Sequence, residues 1–216
     1  MILKEFQKRI FTSIILLFLV FFILSYNLIL VYSLIVLGII SMMEFSQITK
    51  KIIKNKIYFS ISNIFFILYV FIFCLMFFFF SNFIELKKIL FSLLLSCIAS
   101  DIGGYIFGKL LKGPKLTKIS PNKTLSGALG SLILTGFVLS LTIFYFTGSF
   151  NYQILLIALI TSAACQIGDL FFSLLKRKAK IKDTGNFLPG HGGVLDRLDG
   201  ILIGIPVGFT SLVLLF

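Results

Sequence analysis

The chain has 216 residues, 58% hydrophobic and only 13% charged, with a mean hydropathy of +1.08 and 20 Lys+Arg against 8 Asp+Glu. A soluble domain carries about 25% charged residues, so these figures exclude disorder, collagen, a coiled coil and an ordinary soluble enzyme. They describe an integral membrane protein, in which a net charge of +12 reflects the positive-inside bias and anionic head groups rather than nucleic acid.

A span of the hydrocarbon core needs about 20 apolar residues, and the chain is expected to fold as an all-α polytopic bundle of about seven spans. In order these are 10–24, 28–45, 57–80, 89–111, 126–147, 151–172 and 199–216. The first two come from one apolar run that breaks at Ser25-Tyr26-Asn27. The first is short enough to require local bilayer thinning. With no small-residue cleavage site after it, it reads as an anchor rather than a removed signal peptide. The phenylalanine-rich stretch 57–80 reads as one span or as two shorter pieces.

Charge tests the topology. With the N-terminus in the cytoplasm and seven alternating spans, 18 basic residues fall inside and only Lys87 and Lys88 outside, which supports this orientation and an outer C-terminus. The chain divides into N-terminal helices, 1–88, with about three spans and little chemistry, and a transmembrane region, 89–216, where the candidate chemistry lies. The latter carries two polar cytoplasmic loops, 112–125 and 173–198. No internal repeat is visible, which argues against an inverted-repeat transporter.

The eight acidic residues are few enough to take singly. Glu5, Glu44 and Glu85 lie at span ends, where a solvated or interfacial role is expected. The other five, Asp101, Asp169, Asp183, Asp196 and Asp199, all follow residue 100. A carboxylate at membrane depth costs several kcal/mol unless paired, so Asp101 and Asp169 are functional candidates, with an intramembrane pair to a lysine as the plainer alternative. Asp196 and Asp199, spaced i, i+3, share a face if helical, and two carboxylates that close favour a cation between them. The basic run 176–182 beside them suits phosphate. Oxygen ligands with phosphate-binding cations are the set used in Mg²⁺-assisted phosphoryl or nucleotidyl transfer. Zinc is disfavoured, because His191 is the sole histidine and Cys74, Cys97 and Cys165 sit singly in apolar sequence, where packing is the expected role.

The loop Lys118-Ile119-Ser120-Pro121-Asn122-Lys123-Thr124 gathers hydroxyl, amide and ammonium groups ahead of a helix that Ser126 is expected to cap. Gly190-His191-Gly192-Gly193 permits close backbone approach to a ligand. Gly103-Gly104-Tyr105-Ile106-Phe107-Gly108-Lys109 nearly spells a P-loop, but Leu110 replaces the Ser/Thr and the context is an apolar helix. Its Gly104/Gly108 pair, like Gly200, Gly204 and Gly208, is expected to let helices pack closely.

The stretch from Ser173-Leu174-Leu175-Lys176-Arg177 through Lys182-Asp183-Thr184-Gly185 to Leu188-Pro189-Gly190-His191-Gly192-Gly193-Val194-Leu195-Asp196-Arg197-Leu198-Asp199 resembles the signature of the phosphatidate cytidylyltransferase (CDP-diacylglycerol synthase) family. Asp101-Ile102-Gly103-Gly104-Tyr105 and Ile119-Ser120-Pro121-Asn122-Lys123-Thr124 are similar to further family motifs, in the expected order, so the resemblance spans about residues 95–205. It departs at Gly200, where the family usually carries Ser, and in a shorter N-terminal bundle. The resemblance implies a reaction in which CTP and phosphatidic acid give CDP-diacylglycerol and pyrophosphate. It implies Mg²⁺ on Asp169, Asp196 and Asp199, with a second cation such as K⁺ as an allowed companion. Lys176, Arg177, Lys182, Asp183, His191 and Arg197 are then the catalytic, phosphate-handling set. Asp101, Ser120, Pro121, Asn122, Lys123, Thr124, Ser173, Gly192 and Gly193 would line the substrate pocket. A multi-pass location in a bacterial-type inner membrane and a homodimer are further implications. Two rivals stay open: a CTP-using enzyme acting on another lipid phosphate or alcohol, and a transporter or scaffold.

Overall fold

The computed structural model describes residues 25–117, 120, 123–187 and 192–215, together with Phe18, Phe22 and Ile23. The described residues form α1 (Asn27–Ile52), α2 (Lys56–Ser81), α3 (Ile84–Leu111), α4 (Leu125–Thr147), α5 (Tyr152–Lys178) and α6 (Leu195–Leu215). All six are long and apolar enough to cross a membrane. The chain is a polytopic helical membrane protein. The expected first span, 10–24, lies almost wholly outside the described residues.

Local chemistry explains several helix ends. Asn55 caps α2, its side chain accepting from the Ile57 N–H at 2.9 Å, and the phenylalanine-rich stretch is one continuous helix of 26 residues. The helix at 125 is capped by Thr124, whose hydroxyl accepts from Gly127 N–H at 3.1 Å. The expected cap, Ser126, instead accepts from Gly113 N–H at 3.1 Å and so closes the preceding loop. The polar stretch expected as loop 173–198 is shorter. Helix α5 runs through Lys178 and α6 starts at Leu195, so Ser173, Lys176, Arg177, Asp196 and Arg197 are helical. Cations in a last turn and a carboxylate in a first turn complement the helix dipole, which favours extending both helices. After α5 the chain leaves by a Schellman turn: Lys180 takes a φ of 57°, Ile181 N–H donates to the Lys176 carbonyl and Lys180 N–H to the Arg177 carbonyl.

The chain packs as two compact units, neither continuous in sequence: Met1–Asn82 with Leu175–Leu198, and Phe83–Leu174 with Asp199–Phe216. The basic and glycine-rich stretch thus belongs with the N-terminal helices. In the first unit, the Phe45 and Phe66 rings stack with centroids 3.8 Å apart, the Asn63 amide donates to the Thr49 hydroxyl, and Gly38 faces Val70 and Cys74.

The second unit packs through small residues, as bundles in lipid do. A Cβ on Gly103 would stand 2.5 Å from the Gly130 carbonyl oxygen, and one on Gly127 2.7 Å from that of Gly104. The P-loop-like stretch is therefore helical and is the contact surface of α3 on α4. Ser131 donates to the Ser100 carbonyl at 2.7 Å, and the Ser100 and Ser162 hydroxyls share a hydrogen bond at 3.0 Å. On α6, Gly204 faces the buried Cys165 and Cys97, and Gly208 faces Thr161 and Leu93. Both sets match the packing role expected for these glycines and cysteines.

Candidate active site

In the first unit, Lys176 in the last turn of α5 places its ammonium 2.6 Å from Asp196 Oδ1 in the first turn of α6. The other carboxylate oxygen, Oδ2, accepts from Thr184 N–H at 2.8 Å, Thr184 Oγ1 at 3.0 Å and Gly193 N–H at 3.0 Å. Asp196 therefore ties both ends of the connecting segment to the head of α6. Gly192 makes this possible, since its φ of 84° is a region L side chains rarely enter. Arg177, Lys182, Asp183 and Arg197 present exposed side chains around this centre. His191 lies outside the described residues, as do Pro121 and Asn122.

The same segment rests on a residue for which the sequence suggested an interfacial role. Glu44, within α1, is only 5% exposed. Its carboxylate accepts from Thr184 Oγ1 at 2.7 Å, from Val194 N–H at 3.0 Å and from Leu195 N–H at 2.8 Å. Two of these donors are backbone groups at the start of α6, which have no partner inside the helix, and an anion is favoured there. The span-end expectation for Glu44 is thus overturned, because donors 140 or more residues away enclose it. A readable signal existed: Glu44 is the sole acidic residue of α1, and the nearest following lysines, Lys50 and Lys51, are too distant in the helix for an i, i+4 pair.

In the second unit, the segment between α3 and α4 folds back on itself. Lys115 and Thr124 form an antiparallel bridge, Leu116 N–H donates to the Lys123 carbonyl and Leu125 N–H to that of Pro114. This delivers the Lys123 ammonium onto Asp169 Oδ2 of α5 as a salt bridge. Ser173, one turn on, donates weakly to Asp169 Oδ1 at 3.4 Å. Beside Asp169, Gly168 meets α6 so closely that a Cβ there would stand 2.5 Å from the Asp199 carbonyl oxygen. Asp199 is 7% exposed, and its Oδ1 accepts from Gly200 N–H at 2.9 Å. Asp169 and Asp199 thus sit beside a close approach of α5 and α6. Asp101 is exposed on α3, Ser120 accepts from Lys123 N–H in the loop turn, and the Thr124 hydroxyl is engaged in its cap.

Among the described residues no three His, Cys, Asp or Glu side chains gather into a metal-binding group. The carboxylates expected to hold Mg²⁺ do offer hard oxygen donors. Two of the three already carry a positive group, Lys123 on Asp169 and Lys176 on Asp196. Their surroundings therefore accommodate positive charge, and in donor chemistry they fit a hard cation.

Each unit of this helical membrane protein thus carries a lysine–aspartate pair, Lys176–Asp196 in the first and Lys123–Asp169 in the second. Residues 6–215 match the model of the cytidylyltransferase family, and the chain belongs to that family. It is 42% identical over 126 residues to a phosphatidate cytidylyltransferase of Mycobacterium leprae, a match covering 58% of this chain and 40% of that protein. It is 45% identical over 113 residues to one from Helicobacter pylori, covering 52% and 42%. With one from Staphylococcus haemolyticus it shares 43% over 110 residues, covering 50% and 42%. The chain thus matches about two fifths of the length of these relatives.

Proposed function

We propose that this chain transfers a cytidylyl group from CTP to phosphatidic acid, giving CDP-diacylglycerol and pyrophosphate. A phosphate oxygen of the lipid attacks the α-phosphorus of CTP, a new P–O bond forms, and the bond to the β-phosphate breaks with pyrophosphate as leaving group. The nucleophile is already an anion, so no general base is required. The observation that carries this reading is the pairing of lysine ammoniums with aspartates, Lys176 with Asp196 inside the stretch that resembles the family signature and Lys123 with Asp169 outside it. Such a site can neutralise charge on phosphoryl oxygens, which is the main demand of phosphoryl-type transfer.

In this reading Lys176 and Lys123 are held by Asp196 and Asp169 within reach of an anion, and the exposed Arg177, Lys182 and Arg197 add positive charge around the first pair. His191 and Asn122 contribute further polar contacts to the substrates, and Asp183, Asp101, Ser120, Pro121, Thr124, Ser173, Gly192 and Gly193 shape the pocket. Asp169, Asp196 and Asp199 would hold Mg²⁺, which supplies Lewis-acid stabilisation of the phosphoryl charge when bound. The loops 112–125 and 173–198 face the cytoplasm, where CTP is found. The 18-to-2 partition of basic residues supports this orientation.

The test is the purified protein in detergent with phosphatidic acid, CTP and Mg²⁺. CDP-diacylglycerol and pyrophosphate should form in equal amounts. Use of ATP as readily as CTP, or equal use of another lipid phosphate, would overturn the substrate assignment. For orientation, cysteines placed singly at Lys115 or Lys180 in a cysteine-free background should resist an impermeant reagent in intact cells.

A further inference from the structure

The group in this molecule whose surroundings exceed its expected role is the Glu44 carboxylate. Its two oxygens receive three hydrogen bonds, one from the Thr184 hydroxyl and two from backbone N–H groups at the head of α6. The fit allows no slack. A Cβ on Gly193 would stand 2.5 Å from Glu44 Oε2, and one on Gly185 2.6 Å from Oε1. The Thr184 hydroxyl lies 2.7 Å from Glu44 Oε2 and 3.0 Å from Asp196 Oδ2. A hydroxyl has one proton to give, so the two carboxylates share it. A chain of polar contacts therefore runs from Glu44 through Thr184 and Asp196 to the Lys176 ammonium.

We propose that Glu44 is a positioning residue for cytidylyl transfer: it holds Thr184 and the head of α6 at Val194 and Leu195 in place and, through Thr184, sets the orientation of Asp196 and Lys176. The N-terminal helical pair then has a catalytic duty, although Glu44 itself need touch neither substrate. A carboxylate suits this duty because it accepts from all three donors at once. A glutamine at 44 would keep one acceptor oxygen and turn an N–H₂ toward groups that are themselves donors. An aspartate would be one methylene too short to reach the head of α6.

This inference rests on the cytidylyl-transfer reading, so the test includes an arm independent of activity. Glu44→Gln, Thr184→Val, the double variant and Phe45→Leu are purified beside the parent protein. Phe45→Leu weakens the neighbouring α1–α2 stacking while leaving the carboxylate intact. Turnover of CTP with phosphatidic acid should fall about 10- to 100-fold in Glu44→Gln, as expected when a buried hydrogen-bond centre is broken. The KM for CTP should change less than turnover does. The double variant should be no worse than the poorer single one, because both changes cut the same chain of contacts. Tryptic cleavage after Lys180 and Lys182 should accelerate in Glu44→Gln but not in Phe45→Leu, with cleavage after Lys115 unchanged in both. Parental turnover in Glu44→Gln, additive losses in the double variant, or cleavage that quickens equally in Phe45→Leu would each overturn the positioning role. A parent protein that makes no CDP-diacylglycerol would sink the substrate reading instead, leaving the proteolysis to report whether Glu44 holds the segment.

Discussion

Two lysine–aspartate pairs serve this chain, and they are built differently. In the first unit the Lys176 and Asp196 side chains are 13% and 8% exposed, and Asp196 makes three more hydrogen bonds to the segment it closes. In the second, the Lys123 and Asp169 side chains are 25% and 29% exposed, with a long contact from Ser173 added among the described residues. Burial makes the first pair costly to break, because the partner left behind keeps an uncompensated charge. The second is more open, and on the scale of partly exposed pairs it is worth about 1 kcal/mol. The same residue types thus give a fixed strut in one place and an exchangeable contact in the other. On the proposed cytidylyl-transfer reading, Lys123 is the lysine that would leave its aspartate for a phosphate.

The largest expected effect separates the two. If Asp196 helps hold Mg²⁺ as proposed, Asp196→Asn should lose turnover by about 100-fold or more, since a bound metal contributes several kcal/mol of transition-state stabilisation. It should also lose roughly 3 kcal/mol of stability, because an asparagine that still accepts from Thr184 and Gly193 turns its N–H₂ toward the Lys176 ammonium. Melting temperature without metal, read beside turnover, checks both. An Asp196→Asn protein as stable as the parent would mean that the pair is no strut.

Asp169→Asn should lose comparable turnover but at most about 1 kcal/mol of stability, the scale of a partly exposed pair. The informative quantity is the ratio of the two losses at each site. Equal ratios at Asp169 and Asp196 would erase the distinction drawn from their burial.

The helices themselves were legible because their signal is local. Long apolar runs fix α2 through α6 to within a few residues at most ends, and the glycine and cysteine positions announced close packing. The helix ends were less legible. Lys176, Arg177 and Asp196 look like loop residues by polarity, yet charge that complements the helix dipole favours their helical state, while Arg197, a cation in a first turn, is helical without that help. Ser126 and Thr124 are equally good caps by type, and only the path of Gly113 decides that Ser126 is engaged elsewhere. Glu44 was the least legible. Its partners lie 140 to 151 residues away, and no periodicity within α1 can report them.

A smaller effect tests the seat of Glu44 without touching a charge. Gly193→Ala places a Cβ against the Thr184 hydroxyl as well as both Glu44 oxygens. Overpacking of this kind costs about 1–3 kcal/mol, and turnover should fall with it because the displaced groups belong to the chain of contacts ending at Lys176. Gly193→Ala with parental turnover and melting temperature would show that the seat is soft.

The smallest effect concerns the second unit, where α6 carries Gly200 and Gly204 one turn apart on the face toward Cys165. A Cβ on Gly200 would meet the Cys165 carbonyl oxygen at 3.3 Å and its Cβ at 3.6 Å, so the neighbour needs to yield by only a few tenths of an ångström. On Gly204 it would run into the Cys165 sulfur and stand 3.0 Å from the Cys97 sulfur, both buried between helices that have nowhere to move. Gly200→Ser should therefore cost less than about 1 kcal/mol, a shift of roughly 2–4 °C or less for a chain of this size. Turnover should stay within about twofold, as befits a position where the resembling family usually carries that hydroxyl. Gly204→Ser should cost about 1–3 kcal/mol by overpacking, with the surviving folded molecules turning over normally, since Gly204 packs against no residue of either lysine–aspartate pair. The order of the two melting temperatures is the discriminating result. If Gly200→Ser proved the more damaging, the closest approach of α5 and α6 would lie at the aspartates themselves, and the second pair would be as rigidly mounted as the first.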